Sequence, residues 1–245
     1  MQKRNSELKD KNRLFELNDS ISHRLLVRFV QTIIWILAWP LFFLAYDIRI
    51  KGMSYLKKEK KGIIVGNHCQ FIDAYYVGMA NWPRLTWFTV ESNNILRSDV
   101  GWLNWITGAF GIRDNYPMSI ASSIPKAMKI NSFVTVFPEG RLRHRSQDLL
   151  PFHRGAFYLA IQNDVPIIPF AQILKKRFLH RWFKHLFPRV RIQYMPPLYP
   201  SDFGDDQMPL KKRAELMSIH ARKIIQNCID ENGGSRELTT EPLFQ

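Results

Sequence analysis

The chain has 245 residues, of which 46% are hydrophobic, and a formal net charge of +14. This length accommodates one α/β domain with a large core and leaves little room for a second, so we expect a single domain. The two cysteines, Cys69 and Cys228, argue against a disulfide framework or a metal site and favour a reducing, cytoplasmic compartment. The charge favours a polyanionic partner, either nucleic acid, an anionic membrane or an acidic ligand.

The N-terminal part of the chain has the composition of a membrane-associating segment. Residues 1–28 are polar and charged. Residues 29–46 contain no charged side chain and are mostly apolar and aromatic. Pro40 lies inside the apolar run and is expected to break a helix there. Basic residues flank both ends of the run, which does not fit a single span, since positive flanks favour the cytoplasmic side. We therefore predict a bent, two-helix insertion into one leaflet at the cytoplasmic face of the cell membrane, as a peripheral or monotopic protein.

Aromatic side chains in and beyond this run suit an interfacial depth, and a pair of buried core helices is the alternative interpretation. The side chains expected to contact the membrane are Trp35, Trp39, Phe42, Phe43, Phe178 and Trp182.

Strand and helix patterns alternate after residue 47, which is typical of an α/β sandwich with a mostly parallel sheet flanked by helices. The predicted strands are 63–65, 85–90, 109–112, 133–137, 167–174 and 190–195, and the predicted helices are 72–79, 119–130, 155–162 and 210–229. The predicted organisation is a membrane-associating segment at 1–46, an α/β domain at 47–235, and a disordered tail or cloning remnant at 236–245.

His68 and Asp73 form the first candidate for chemistry. The strand at 63–65 ends at Gly66, so His68 lies in the following loop and Asp73 in the first turn of the next helix. A carboxylate bonded to one imidazole nitrogen leaves the other nitrogen free to accept a proton from a substrate hydroxyl. The alternative is a histidine that only satisfies the end of a strand.

The second candidate is the sequence Phe137-Pro138-Glu139-Gly140 at the end of another predicted strand, where α/β sheets bind ligands. Cationic side chains follow it directly, and guanidinium groups bind phosphate through two hydrogen bonds. These side chains are Arg141, Arg143, His144 and Arg145, and Arg113 is a further candidate for the same pocket. The alternative is a solvated charged loop.

These motifs, in this order, resemble the four sequence blocks of the glycerolipid acyltransferases, whose best-known members, including the bacterial 1-acyl-glycerol-3-phosphate type, acylate lysophosphatidic acid. The blocks correspond to Asn67-His68 with Asp73, to Gly108 through Arg113, to Phe137 through Gly140, and to Val165 through Pro169. The resemblance implies a transferase of phospholipid biosynthesis in which His68 is the general base and Asp73 orients it. It implies substrate-binding roles for Asn67, Arg113, Glu139, Gly140, Arg141 and Arg143, no cofactor or metal, and acyl-CoA or acyl carrier protein as the acyl donor.

Two departures from the family pattern affect the acceptor site. Gln70 stands where many members have serine, and Arg141-Leu142-Arg143 replaces the usual Thr-Arg pair. The arginine is therefore displaced by one position, and the sequence leaves open which arginine binds the acceptor's phosphate. Cys69, next to the histidine, also admits a covalent cysteine mechanism, which we consider a minor alternative.

Residues 175–191 contain seven basic residues and no acidic one, interleaved with aromatic residues. Such a stretch can bind anionic phospholipid or an acidic acyl carrier protein. Besides acylation of lysophosphatidic acid, the sequence admits a different acceptor, such as glycerol-3-phosphate, a lyso-ornithine lipid or a glycolipid. A non-enzymatic membrane adaptor is a further alternative. A nucleic-acid partner is not expected, because the chain contains no recognisable nucleic-acid-binding motif.

Overall fold

The computed structural model describes residues 13–113, 117–177, 187–205 and 207–239. In the described residues, seven strands form one sheet. They are β1 (Arg49–Lys51), β2 (Gly62–Gly66), β3 (Thr86–Glu91), β4 (Ala109–Ile112), β5 (Phe133–Val136), β6 (Ile167–Lys175) and β7 (Arg189–Tyr194).

Helices cover both faces of this sheet. The α-helices are α1 (Ile21–Tyr46), α2 (Met53–Lys58), α3 (Asp73–Asn81), α4 (Ser92–Ile95), α5 (Gly101–Ile106), α6 (Ser123–Lys129), α7 (Gly155–Gln162) and α8 (Leu210–Glu231). Short 3₁₀ helices occur at Pro117–Ile120, Pro200–Phe203 and Arg236–Leu238.

The strand order is β1-β7-β6-β2-β5-β3-β4. Every neighbouring pair is parallel except β6 and β7, which are antiparallel. The predicted α/β class with a mostly parallel sheet is therefore confirmed. Strands β2 to β6 all end at one edge of the sheet, which we call the carboxyl edge, and β1 and β7 begin there because they run in the opposite direction. Loops at this edge carry the candidate functional residues.

The alternation of side chains along β2 divides the core into two parts. Ile63 and Val65 face a cluster built with α6, α7 and α8, whereas Ile64 faces a cluster that includes α3 and the second half of α1. All three side chains are fully buried. Because β2 lies in the middle of the sheet with both faces covered, its sequence is a continuous apolar run, as expected for a parallel strand.

Helix α1 is a single helix of 26 residues with Pro40 inside it, so the predicted break into two helices is wrong. One face of the helix packs against the domain on both sides of the proline, and after it Phe42 and Tyr46 contact Tyr76 of α3. The side-chain amide of Gln31 donates to the carbonyls of Thr86 and Thr107 at 2.7 and 3.0 Å. Trp35 stacks on Trp82 with the ring centroids 4.3 Å apart.

Three of the side chains expected to contact the membrane also contact the domain. Trp35, Trp39 and Phe42 are partly buried and pack against the core. Phe43 does face outward, at 49% exposure. Phe178 and Trp182 lie outside the described residues.

The outward face of α1 is nevertheless mostly apolar, with Ser22, Arg28 and Pro40 also exposed. Its exposed large hydrophobic side chains are Ile21, Leu25, Leu26, Phe29, Ile33, Ile36, Leu37, Leu41, Phe43 and Leu44. By length and composition this helix could cross a membrane. Its other face is docked on the domain.

The C-terminal segment begins later than predicted. Residues Arg236–Leu238 form a 3₁₀ helix, and Leu238 is buried in the core. The backbone N–H of Ser235 donates to the carbonyl of Leu174, at the end of β6. Residues 236–239 are thus part of the fold, and residues 240–245 lie outside the described residues.

Candidate active site

Asp73 organises the loop that follows β2. Its Oδ2 atom accepts hydrogen bonds from Nδ1 of His68 at 3.0 Å and from the backbone N–H groups of Cys69 at 2.7 Å and Gln70 at 2.8 Å. The carboxylate is fully buried at the start of α3, where the helix dipole favours a negative charge. One oxygen atom therefore fixes both the backbone of the loop and the orientation of the imidazole.

The ring of His68 is held on a second side by Phe137. The two rings stack with their centroids 4.3 Å apart and an interplanar angle of 17°. Because the Nδ1 proton is directed at Asp73, Nε2 is the acceptor of the neutral ring. Nε2 has no hydrogen-bond partner among the described residues, and the side chain is 25% exposed. The geometry is that of a general base open to a ligand.

Glu139 links this loop to the loop after β5. Its Oε1 atom accepts from the backbone N–H of His68, and its Oε2 atom accepts from the backbone N–H of Leu150, both at 3.0 Å. Burial raises the pKa of Glu139, while these two backbone donors oppose that rise. With both oxygens engaged and the side chain buried, Glu139 holds the loops together rather than contacting substrate as the sequence had indicated.

Asn67, like Glu139, holds the histidine loop through hydrogen bonds to the backbone of another segment. Its side-chain amide donates to the carbonyl of Gln172 at 2.9 Å, and its oxygen accepts from the Gln172 N–H at 2.7 Å. These two bonds continue the ladder of β6 beyond the point at which β2 ends. Asn67 is buried, so the expected contact with substrate is replaced by a role in positioning the loop.

Gln70, the departure from the family pattern, belongs to the same buried network. The side-chain amide of Gln172 donates to its Oε1 atom at 3.0 Å. The larger amide thus reaches β6 directly and ties the fourth residue of the loop to the sheet.

The segment after Gly140 runs back alongside the histidine loop. The backbone N–H of Arg143 donates to the His68 carbonyl at 3.2 Å, and that of Arg145 donates to the Cys69 carbonyl at 2.7 Å. Gly140 has a φ of +71°, and a β-carbon there would lie 2.9 Å from the ring of His153. Glycine is therefore needed both for the turn and for this close approach.

The structure distributes the candidate arginines along the carboxyl edge. Arg141 is exposed, and Arg143 is partly buried with one guanidinium nitrogen 3.3 Å from the carbonyl of Asp148. Arg113 follows β4, which is three strands from β2, or about 14 Å along the edge. Its guanidinium lies over the ring of Phe15, 4.6 Å from the centroid.

The thiol of Cys69 is unsuited to nucleophilic attack. The side chain is buried, and burial together with the charges of Asp73 and Glu139 raises its pKa well above the ordinary value. A protonated, enclosed thiol is a poor nucleophile. The geometry therefore disfavours the covalent cysteine alternative.

Three positions of the site were not found from the sequence. Gln172 lies 105 residues after Asn67, so only the fold brings it to the loop. Leu150 and His153 follow the second motif closely in the chain, and their contacts with Glu139 and Gly140 depend on the path of the intervening loop. For Leu150 the contribution is a backbone N–H, which no side-chain pattern reveals.

Comparison with known proteins gives the family of this site. A sequence model described as Acyltransferase matches residues 47–172, which is more than half of the chain and includes both motifs. The chain belongs to the acyltransferase family. Within this acyltransferase, the matched segment extends from the end of α1 to Gln172 and so contains the whole network around His68.

Curated relatives of this acyltransferase carry one shared description, 1-acyl-sn-glycerol-3-phosphate acyltransferase. The protein from Salmonella typhimurium is 33% identical over 212 residues, covering 82% of this chain and 80% of the relative. The protein from Haemophilus influenzae is 32% identical, covering 69% of this chain and 70% of the relative. The protein from Limnanthes douglasii is 31% identical and covers 72% of this chain, which in turn spans 60% of that relative's length.

One solved structure supports the fold of this acyltransferase. It is the 1-acyl-sn-glycerophosphate (LPA) acyltransferase, PlsC, from Thermotoga maritima, with a TM-score of 0.59 and 16% sequence identity. The match covers 85% of this chain and 82% of that chain.

Proposed function

We propose that this acyltransferase moves a fatty acyl group from a thioester donor to the free hydroxyl of lysophosphatidic acid and so produces phosphatidic acid. The observation that carries the proposal is the His68–Asp73 pair: Nδ1 of a partly exposed His68 is bonded to Asp73, which leaves Nε2 as the acceptor, and the ring stacks on Phe137 of the second motif. The relatives' shared description supports the choice of acceptor.

The reaction follows from the position of the imidazole. Nε2 of His68 takes the proton of the acceptor hydroxyl as its oxygen attacks the thioester carbonyl. The tetrahedral intermediate collapses and its carbon–sulfur bond breaks. The leaving thiolate then receives the proton from the imidazolium, so that the products are an ester and a free thiol and His68 is restored. Asp73 stabilises the imidazolium during this cycle.

The acceptor's phosphate is proposed to bind to one or more of Arg113, Arg141 and Arg143. Arg113 follows β4, whereas the segment that carries Arg141 and Arg143 returns beside the histidine loop towards β6. Guanidinium groups suit this role because they bind phosphate through two parallel hydrogen bonds. Gly140 allows the acceptor to approach the backbone at the turn.

Membrane association is proposed to occur through the outward apolar face of α1, on the cytoplasmic side. That face carries exposed apolar side chains from Ile21 to Leu44, and Tyr46 at the end of the helix packs against Tyr76 of α3, the helix that begins at Asp73. A helix lying in the interface would hold His68 at the depth where a lysophospholipid presents its glycerol hydroxyl.

The test is product identification with purified protein. Lysophosphatidic acid, glycerol-3-phosphate, a lyso-ornithine lipid and a lysoglycolipid are each supplied with acyl-CoA or with acylated carrier protein, and products are identified by mass spectrometry. Phosphatidic acid is expected from lysophosphatidic acid. Selective acylation of another acceptor would contradict the acceptor assignment, and the absence of any acylated product would contradict the enzymatic proposal.

A further inference from the structure

A group of arginines surrounds the C-terminal end of α1, on the other side of His68 from Arg113. Arg49, Arg189 and Arg191 each place a guanidinium nitrogen near the carboxylate of Asp47, at 3.6, 3.2 and 3.0 Å. We call these four residues the Asp47 cluster. It carries three positive charges and one negative charge, and the arginines hold the pKa of Asp47 below its ordinary value although burial opposes this.

Part of this charge has a structural function. Arg191 donates to the backbone carbonyl of Asp47, and Arg177 donates to the carbonyl of Ala45, so both satisfy carbonyl groups at the end of α1. Cations are favourable at this end of a helix. In the part of the chain that the structure describes, Arg49 and Arg189 donate to no backbone carbonyl at the end of α1. Their side chains are 70% and 47% exposed.

The sheet register places the backbone of these two residues relative to the end of β2. Gly66 pairs with Phe170 of β6, whereas Arg189 pairs with Lys175 of β6, and Arg49 lies level with Ile173 through Arg191. Arg189 and Arg49 therefore lie five and three residues beyond the level of Gly66, and two and three strands to its side. At about 3.3 Å per residue and about 4.8 Å per strand, their Cα atoms are roughly 19 and 17 Å from the end of β2. The cluster and Arg113 lie on opposite sides of His68.

A two-substrate reaction at His68 needs two anion sites. If the acceptor's phosphate binds at Arg113, one of the arginines of the proposed function, the donor must leave His68 on another side. A pantetheine arm joins the thioester sulfur to a phosphate, and its extended backbone spans roughly 15 Å, about the length of four extended residues. The arm together with an arginine side chain is long enough to cover the separation between the end of β2 and the exposed members of the cluster.

We propose that Arg49 and Arg189 of the Asp47 cluster bind the phosphate at the end of the donor's pantetheine arm. This inference rests on the proposed function, since it assigns the second substrate of the same site. Both coenzyme A and acyl carrier protein carry a phosphate at this point, so the shared ligand is phosphopantetheine. Asp47 keeps the guanidinium groups together and at the edge, while two exposed cations remain to meet the phosphate.

The experiment compares donors with and without the phosphate. In the full-length protein, the Arg49→Gln/Arg189→Gln variant is assayed with acyl-CoA, with acylated carrier protein and with S-acyl pantetheine, which has no phosphate. The matched control is Lys57→Gln/Lys58→Gln, which removes two exposed charges from α2, at the opposite edge of the sheet.

The unmodified protein is expected to use acyl-CoA with a KM about tenfold lower than that for S-acyl pantetheine, the change typical of a charge-assisted hydrogen bond. The arginine variant should lose this difference and keep its KM for the acceptor, whereas the lysine variant should keep both. A loss confined to acylated carrier protein would identify the carrier as the source of the phosphate, a loss confined to acyl-CoA would identify coenzyme A, and a loss with both would show that either donor supplies it.

Two results would overturn the inference. One is an arginine variant that still distinguishes acyl-CoA and acylated carrier protein from S-acyl pantetheine as the unmodified protein does. The other is a variant with unchanged donor KM that binds phosphatidylglycerol vesicles more weakly, which would assign the cluster to lipid headgroups.

A binding measurement separates this inference from the proposed reaction. Calorimetric titration with phosphopantetheine and with pantetheine requires no turnover. Tighter binding of phosphopantetheine that is lost in the arginine variant would support the cluster even if no product formed. Equal binding of both ligands by the unmodified protein would refute it even if phosphatidic acid were produced.

Discussion

The backbone N–H of His68 donates to Oε1 of Glu139 at 3.0 Å, so the two sequence motifs hold each other across 71 residues. Leu150 donates to the other oxygen of the same carboxylate. Glu139→Ala would leave two backbone donors without acceptors, at a cost of about 1–3 kcal/mol each. We expect a lower melting temperature and a large loss of activity, measured by thermal unfolding in detergent and by product formation.

Glu139→Gln is the informative companion of that variant. Glutamine has one carbonyl oxygen and can accept from only one of the two N–H groups. Its stability should lie between those of the alanine variant and the unmodified protein. Stability and activity equal to those of the unmodified protein in both variants would contradict the assignment of Glu139 as the link between the loops.

His68→Ala should lower kcat by about 10²- to 10⁴-fold, the usual contribution of a positioned general base. Asp73→Asn should also lower kcat, because the amide cannot stabilise the imidazolium as a carboxylate does. His220→Ala, on the exposed side of α8, is the matched control for loss of an imidazole and should leave turnover unchanged. Turnover of His68→Ala within a few-fold of the unmodified protein would refute the base assignment.

Substitutions on α1 test membrane association. Leu37→Glu/Leu41→Glu places two charges on the outward face, where the leucines are more than 60% exposed. Vesicle binding should weaken by about a hundredfold or more, since burying each leucine contributes about 1.5–3 kcal/mol. Sedimentation with vesicles measures the change.

The control for this pair lies on α8. Leu216→Glu/Ile219→Glu introduces the same charges at exposed apolar positions away from α1 and should leave vesicle binding unchanged. Equal losses in both pairs would show that charge alone, and not the outward face of α1, determines binding.

Asn67→Ala tests the buried amide beside the base. It removes both partners of the Gln172 backbone at the point where β2 ends. We expect a loss of about 1–3 kcal/mol in the free energy of unfolding, together with reduced kcat. If Asn67 instead contacted substrate, acceptor KM would rise while the melting temperature stayed the same.

His23 should make stability depend on pH. It is buried near the start of α1 against Trp87 and Trp105, and burial lowers its pKa from the ordinary value of 6.5. Because His23 binds a proton more readily in the unfolded chain, its contribution to the free energy of unfolding is fully present above pH 6.5. This contribution decreases as the pH falls from 6.5 to the lower pKa of the folded protein. His23→Phe should flatten this dependence in thermal unfolding between pH 5 and 7, taken as roughly the titration range of histidine. An unchanged slope would contradict the role of His23.

The sequence indicated the strands of the central sheet well, because their apolar runs are continuous and bounded by turn residues. The predicted strand at 63–65 lies within β2, and the one at 133–137 contains β5. The predictions from the sequence missed β1 and α2, which have only three and six residues. Segments this short carry no reliable periodicity, and their form is decided by the neighbours with which they pair.

Helix α1 shows where local rules failed. Pro40 removes one backbone hydrogen bond, and from sequence this predicts a break. The observed helix continues because its inner face is docked on the domain through Gln31, Trp35 and their partners. The same docking packs Trp35, Trp39 and Phe42 against the core. The sequence could not distinguish this packing from membrane contact, because apolar side chains are favourable in both environments.

The sequence by itself indicated the candidate general base: an imidazole five residues before a carboxylate, one placed after the end of a strand and the other at the start of a helix. The tertiary structure decided which of the candidate side chains stay exposed and which are enclosed. Asn67 and Glu139 are turned inward because buried amides and carboxylates must satisfy the backbone groups left open where β2 and β5 end. Such pairings connect residues far apart in the chain, so they follow from strand order and not from any local pattern.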